Sequence, residues 1–248
     1  VKKGLLKVTD ILLVEPRVDT HANLRARGFE WVLSSVSSEL SSCDLIILAV
    51  KPQDFTALAS ELKMFVHKGQ VVLSIMAGIP ISSINALLAV PKIVRCMPNT
   101  PAQLGVGITG YYCQGLNSEE VGFVKTLLLS TGKAIELSEE KFLNVVTAIS
   151  GSGPAYFYYF LRAMVNAGSS MGLTEQMAKE LACETMFGAY HLATGTDSSF
   201  DELIKAVASK GGTTEAALNT FESEHVASVI EKGLINAKLR AEELSGRN

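Results

Sequence analysis

LIILAVKPQD (residues 45–54) sets the fold question: an unbroken apolar run passes directly into a loop of Lys, Pro and polar side chains. A strand with one face in water alternates apolar and polar residues, whereas a continuous run belongs to a parallel strand covered on both faces. The same unit recurs downstream, where VVLSI (71–75) leads into MAGIP (76–80) and KIVRC (92–96) into MPNTP (97–101). Working outward, ILLV (11–14) precedes EPR (15–17), and VGITGYY (106–112) and AIEL (134–137) supply further strand-like runs. Helical patterns such as FTALASELKMFV (55–66) and SEEVGFVKTLLLS (118–130) fill the intervals. This alternation predicts a Rossmann-like α/β domain with a largely parallel sheet over residues 1–138.

After residue 138 the β signal stops, and helical periodicity remains over 139–149, 155–170, 175–194, 200–208 and 214–244. Residues 139–248 therefore read as a separate all-α domain. Within it, PAYFYYFLRAMVNAGSSMG (154–172) is apolar or aromatic round most of its circumference, so one core contact cannot hide it. A helical domain of about 110 residues has limited capacity to enclose such a helix, which favours a homodimer with intertwined helices. The alternative is a central core helix in a monomer.

Composition narrows the function classes. The 248 residues are 48% hydrophobic, with a mean hydropathy of +0.26, enough for one substantial core or two smaller ones. A net charge of -3 and the lack of any Lys/Arg run give nucleic-acid binding no support. Cys43, Cys96, Cys113 and Cys183 lie far apart with no CxxC pair, as expected of reduced thiols in a cytoplasmic protein. No apolar run approaches the ~18 residues of a membrane span, and the first residues do not read as a signal peptide.

In an open parallel sheet, ligands bind outside the carboxyl ends of the strands, where this sequence places EPR, KPQD, MAGIP and MPNTP. A dinucleotide site also needs a glycine-rich turn between the first strand and first helix, and none is found. VKKGLLK (1–7) reads as the end of a helix and ILLV as a second Rossmann strand, so the first strand and its turn are expected upstream of Val1. After ILLV, Glu15 would accept from the ribose 2′-OH of NADH, while Arg17 would pair with the 2′-phosphate of NADPH.

SKGGTT (209–214) joins two amphipathic helical patterns with adjacent glycines and three hydroxyl side chains. Such a turn brings backbone N–H groups close to an anion at the start of a helix, where the helix dipole assists. The plainer reading is that Thr213 or Thr214 caps the helix, with Glu215 in its first turn. SGSGPAY (150–156) has the same two readings, since Ser152 or Gly153 can cap and Pro154 suits a first turn.

Taken in order, LIILAVKPQD, VVLSIMAGI, IVRCMPNTP, AISGSGPAYFYYF and ASKGGTTEAAL closely resemble the motif series of Δ1-pyrroline-5-carboxylate reductases, from about residue 11 to 244. Two departures stand out: the amino-terminal phosphate loop is not found, and Lys210 stands where proline is common in the family. The resemblance implies that Ser209, Gly212 and Thr213 hold the pyrroline carboxylate and that the Thr214 hydroxyl lies near the ring nitrogen. Asp197, ahead of helix 200–208, is a further candidate for the nitrogen side of the substrate; a solvated Asp before a helix is its alternative. Cofactor contacts carried over from the family fall on Ala49, Val50, Lys51 and Pro52 and on Ile75, Met76 and Ala77, with Asn99 and Thr100 nearer the nicotinamide.

The implied reaction is hydride transfer from NADPH or NADH to the C5 carbon of a cyclic imine, giving L-proline. Protonation of the imine nitrogen already makes C5 electrophilic, so alignment matters more than an acid–base dyad. Accordingly, His21, His67, His191 and His225 share no motif and read as structural or solvated, and no metal site is expected. The resemblance implies a homodimer, with larger rings of dimers known in the family and not decided by these residues. Competing classes are a nonenzymatic dinucleotide-binding or dimerisation protein on this scaffold and a related hydroxyacid dehydrogenase, although the latter would not explain GGTT.

Overall fold

The structure, a computed structural model, describes residues 4–246. Among these, β1 (Leu13–Val14) and β2 (Val32–Leu33) pair in parallel as a separate two-stranded sheet, with α1 (His21–Ala26) between them. The larger sheet runs β3 (Leu45–Leu48), β4 (Val71–Ser74), β5 (Ile93–Met97), β6 (Gly107–Gln114) and β7 (Gly132–Glu136) in chain order. All its pairings are parallel except the antiparallel β5–β6 ladder. The connecting helices are α2 (Phe55–Leu62), α3 (Ile81–Leu88) and α4 (Ser118–Leu129).

Continuous apolar runs behave as expected in the middle of this sheet, where every residue of β4 and β5 is buried. One layer of core gathers Ile46, Leu48, Val72 and Ile93 with Phe55, Ala59, Leu62, Ile81 and Ile84. The opposite layer gathers Leu73, Val94, Cys96 and Tyr111 with Val124 and Leu128 of α4. β3 departs from the expectation: it is an edge strand, Ile46 and Leu48 are buried, and Ile47 is 50% exposed. The beginning of the chain also differs. Residues 1–3 lie outside the described residues, 4–6 form bends and Lys7 is extended ahead of a 3-10 turn (Val8–Asp10), so 4–7 are not the end of a helix.

The chain forms two compact units, one comprising residues 1–151 and 237–248, the other 152–236. In the first, α5 (Phe142–Val146) continues into a π-helical turn (Thr147–Gly151), and the Ser245 hydroxyl donates to Asn144 Oδ1 at 3.3 Å. The second contains α6 (Gly153–Ser170), α7 (Glu175–Gly195), α8 (Phe200–Val207), α9 (Thr213–Ser223) and the start of α10 (Val226–Gly246). The uninterrupted helix expected over 214–244 is broken at His225, which takes a left-handed φ of 55°. There the amide of His225 donates to the Glu222 carbonyl and ends α9.

α6 and α7 pack through small residues, with Gly168, Ala178 and Ala182 buried. A Cβ at Gly168 would stand 2.9 Å from Ala178 Cβ. The large side chains turn outward, leaving Phe157 60%, Tyr158 62%, Tyr159 68% and Phe160 51% exposed. The reading of 154–172 as the core helix of a monomer therefore fails, because its aromatic surface is left exposed among the described residues.

Two glycines test the sheet description. Gly132 opens β7 at φ +142°, and a Cβ there would collide with the Gly107 carbonyl oxygen. Gly122 lies within α4 with open space around a Cβ. In denaturant melts, Gly132→Ala is expected to cost at least about 2 kcal/mol, while Gly122→Ala should stabilise by about 0.5–1 kcal/mol.

Candidate active site

Parallel pairing brings the carboxyl ends of β3, β4 and β5 to one edge, with Leu48 opposite Ser74 and Ser74 opposite Arg95. Three of the loops singled out from the sequence, Ala49–Pro52, Ile75–Ala77 and Pro98–Thr100, leave the sheet at this edge. Val50 is 36% and Ile75 37% exposed, an unusual state for apolar residues ending such strands. Lys51 is exposed, and Pro52 starts a 3-10 turn (Pro52–Asp54). Met76 is only 1% exposed and its amide takes a bond from its own strand end, donating to Ser74 Oγ at 3.2 Å. The Met76 side chain thus belongs to the core. Asn99 Oδ1 accepts from the Ile108 amide at 3.0 Å, which fixes the loop that starts at Thr100 and leaves the Asn99 amide group as a donor.

Glu15 and Arg17 follow β1 and pair with each other. Arg17 Nε donates to Glu15 Oε1 and Nη2 to Oε2, both at 3.1 Å, and the Arg17 amide adds a bond of 3.0 Å to Oε1. These bonds hold the Glu15 carboxyl down to about 2, far below its ordinary 4.5. His21, 8% exposed, contacts the Glu15 carbonyl through Nε2 at 2.7 Å and so orients the segment from behind. That role was not visible in the sequence, where His21 sits in no motif.

These groups suit a dinucleotide in part. Exposed apolar side chains for a planar ring, an Asn amide and a fork-shaped cation beside a carboxylate are present in this unit. Among the described residues, however, β1 passes into Glu15-Pro16-Arg17 and not into a glycine-rich phosphate turn. The buried Cys96 and half-buried Cys113 thiols are pushed up to about 12 and about 11 by desolvation, so neither is a nucleophile at neutral pH.

In the helical unit, SKGGTT forms a tight turn. The Gly212 amide donates to the Ser209 carbonyl at 3.0 Å, Gly211 takes φ +72°, and its amide donates to Glu215 Oε2 at 2.7 Å. A Cβ at Gly212 would stand 2.5 Å from Ser209 Oγ, so the hydroxyl can fold over this position only because it is glycine. α9 begins at Thr213 with Gly212 as its N-cap and no side-chain cap bond. Capping by Thr213 or Thr214 is thereby overturned: both already lie inside the helix. Their amides belong to the first turn, whose N–H groups have no intrahelical partner. The other candidate cap, Ser152 before α6, likewise makes no side-chain cap bond. Asp197 lies in the exposed loop between α7 and α8, and no hydrogen bond joins it to the turn among the described residues.

A family model described as "Pyrroline-5-carboxylate reductase dimerisation" matches residues 140–244, and one described as "NADP oxidoreductase coenzyme F420-dependent" matches residues 1–78. The chain is similar to the pyrroline-5-carboxylate reductase of Pseudomonas aeruginosa, 35% identical over 233 residues that make up 93% of this chain and 85% of the relative. It is also similar to that of Haemophilus influenzae, at 34% identity over 97% of this chain and 91% of the relative. Among solved structures, a pyrroline-5-carboxylate reductase from Coxiella burnetii superposes with a TM-score of 0.86 at 30% identity, covering 95% of this chain and 88% of that one. A Plasmodium falciparum pyrroline carboxylate reductase with NADP bound gives 0.79 at 28% identity, covering 86% and 82%.

The Glu15–Arg17 pair has a pH signature with a definite sign. Because the folded carboxyl lies below its ordinary value, the pair's contribution is complete above about pH 4.5 and is lost as pH falls through about 2. In Arg17→Ala the Glu15 carboxyl should rise clearly from about 2 towards its ordinary 4.5 while staying below it, because the residue-17 amide still donates to it, read by carboxyl carbon NMR on labelled protein. A midpoint that stays near 2 would show that Arg17 is not the cause.

Proposed function

This chain belongs to the pyrroline-5-carboxylate reductase family, and on that premise we propose that it reduces Δ1-pyrroline-5-carboxylate to L-proline with NADPH or NADH. The observation that carries the proposal is the SKGGTT turn, which opens α9 at Thr213 with glycine and no side-chain cap at its N-cap. Oriented first-turn amides and a positive dipole end suit a small carboxylate. Ser209, Gly212 and Thr213 hold that carboxylate, and Thr214 presents its hydroxyl to the imine nitrogen. Asp197 is held as a secondary candidate on the nitrogen side.

When bound, the reduced nicotinamide supplies the hydride. Its holders in the sheet unit are Ala49, Val50, Lys51 and Pro52, the backbone of Ile75, Met76 and Ala77, and Asn99 and Thr100. Glu15 and Arg17 meet the adenosine ribose. On the substrate, C5 gains the hydride while the C=N π pair withdraws onto the protonated nitrogen, giving the amine of proline. Charge is neutralised at nitrogen, so the protein needs only to orient that N–H, and a Thr hydroxyl accepting from it suffices. The protein acts as a homodimer, whose second copy covers the outward aromatic face of α6. We assign the reaction to the cytoplasm, where four unpaired cysteines remain reduced. No helix of the described residues is long and apolar enough to cross a membrane.

The expected assay result is loss of reduced-nicotinamide absorbance only when pyrroline-5-carboxylate is present. Protein that binds the imine acid without this loss would reject the reductase reading. Thr214→Ala should lower kcat/KM for the imine by at least ~10-fold while leaving cofactor affinity and melting temperature near wild type, since a hydrogen bond to a charged group is worth roughly 1.5–3 kcal/mol. Sedimentation at micromolar concentration should give a dimer, and Phe157→Glu should shift it towards monomer.

A further inference from the structure

Arg95 is the one charged residue inside the fully buried strand β5, with its side chain 4% exposed. Its counter-charge is Glu140, which lies beyond β7 and is 45 residues away in sequence. Glu140 Oε1 accepts from Arg95 Nη1 at 2.9 Å and, at the same oxygen, from the amide of Ile81 at 2.9 Å. Ile81 is the first residue of α3, immediately after the loop Met76–Pro80. One carboxylate oxygen therefore ties the end of that loop to the strand beside it. The loop is confined from a second direction, because Gly78 takes φ +76° and a Cβ there would stand 2.9 Å from Leu244 Cβ.

A buried Arg needs a partner, but it does not need one that also holds a helix amide. A purely structural pair would be replaceable by apolar side chains of similar volume at little cost. Here the same substitution would free the Ile81 amide, and with it the loop that ends in Pro80. Arg95 Nη2 is buried without a partner among the described residues, so the guanidinium has no alternative acceptor to retreat to if Glu140 is lost.

We propose that Glu140 is a positioning residue for the nicotinamide cofactor, setting the backbone of Ile75–Ala77 through its shared bond to Ile81 N–H and Arg95. The proposal rests on the reading that this loop contacts the dinucleotide. It makes no claim on the SKGGTT turn, which lies in the other compact unit, so cofactor and product affinities should respond differently.

The test measures the Kd of NADPH by fluorescence quenching, the Kd of L-proline by calorimetry, and the melting temperature, on the full chain. Glu140→Gln keeps an acceptor but removes its charge, and should weaken NADPH about 3- to 10-fold with L-proline affinity unchanged. The paired replacement Arg95→Met with Glu140→Leu removes the orphan charge together with the acceptor, and should weaken NADPH at least 10-fold while retaining a cooperative melt. Wild-type NADPH affinity in a folded variant, with only the melting temperature lowered, would overturn the proposal and leave the reductase reading intact. Should the pair fail to fold, Glu140→Gln decides alone by the same criterion. Failure of the wild type itself to bind either NADPH or NADH would instead reject the underlying reading and the proposal with it; where only NADH binds, the same variants are read with NADH.

Discussion

Parallel register at the centre of the sheet, Val72 opposite Ile93, Leu73 opposite Val94 and Ser74 opposite Arg95, fixes what the sheet unit can do. Parallel strands that start together end together, so loops far apart in sequence are delivered to one edge without any loop having to reach across. The register is held by burial on both faces. Val72 and Leu73 point to opposite core layers and are 0% and 2% exposed, each contributing roughly 1.5–3 kcal/mol relative to an exposed side chain. A slip of one residue would exchange the two layers and carry Arg95 into the layer occupied by Val94 and Cys96. Glu140 then acts against such a slip, since an Arg moved away from its carboxylate would be a buried unpaired charge.

The helical unit obeys the opposite constraint. Where the sheet unit hides its large apolar residues, this unit hides its small ones: Gly168 against Ala178 brings α6 and α7 close, while Phe157, Tyr158, Tyr159 and Phe160, earlier in α6, remain more than half exposed. Exposed apolar surface of this extent marks an association surface. A match to a dimerisation domain over residues 140–244 accords with that surface.

Much of this was legible in the sequence, because continuous apolar runs and helical periods report burial directly. LIILAV, VVLSI and KIVRC were readable as strands, and SKGGTT as an anion-suited turn before a helix. What escaped was set by partners distant in the chain. Nothing in the run LIILAV tells that the Ile47 side chain is half exposed, since which face of a strand is covered is decided by elements distant in the chain. The break at His225 escaped because ESEHVAS keeps a helical period while its backbone turns left-handed. Glu15 and Arg17 read as rival cofactor signals, and only the folded geometry shows a side-chain fork joining them. Glu140 fell within the helical period read over 139–149 with no role assigned, and its bonds to Ile81 and Arg95 span separations no local pattern encodes.

The turn at Ser209–Thr214 offers helix-start amides to an anion without a net positive charge. Within SKGGTTE the Lys210 and Glu215 charges cancel, so attraction for a carboxylate must come from oriented backbone groups. Glu215 accepts from the Gly211 amide and thereby fixes the left-handed glycine, but in doing so it occupies one of the donors an incoming anion would use. The remaining donors are those of the first turn of α9, which point along the helix axis towards whatever lies before Thr213. A side-chain cap at Gly212 would have taken these as well. Glycine at the N-cap costs only a few tenths of a kcal/mol in helix stability relative to Ser or Asp, and it leaves the amides available. Lys210 keeps a backbone N–H that a proline would lack. The turn therefore reads as a helix start left incomplete in the one respect that a bound carboxylate would complete.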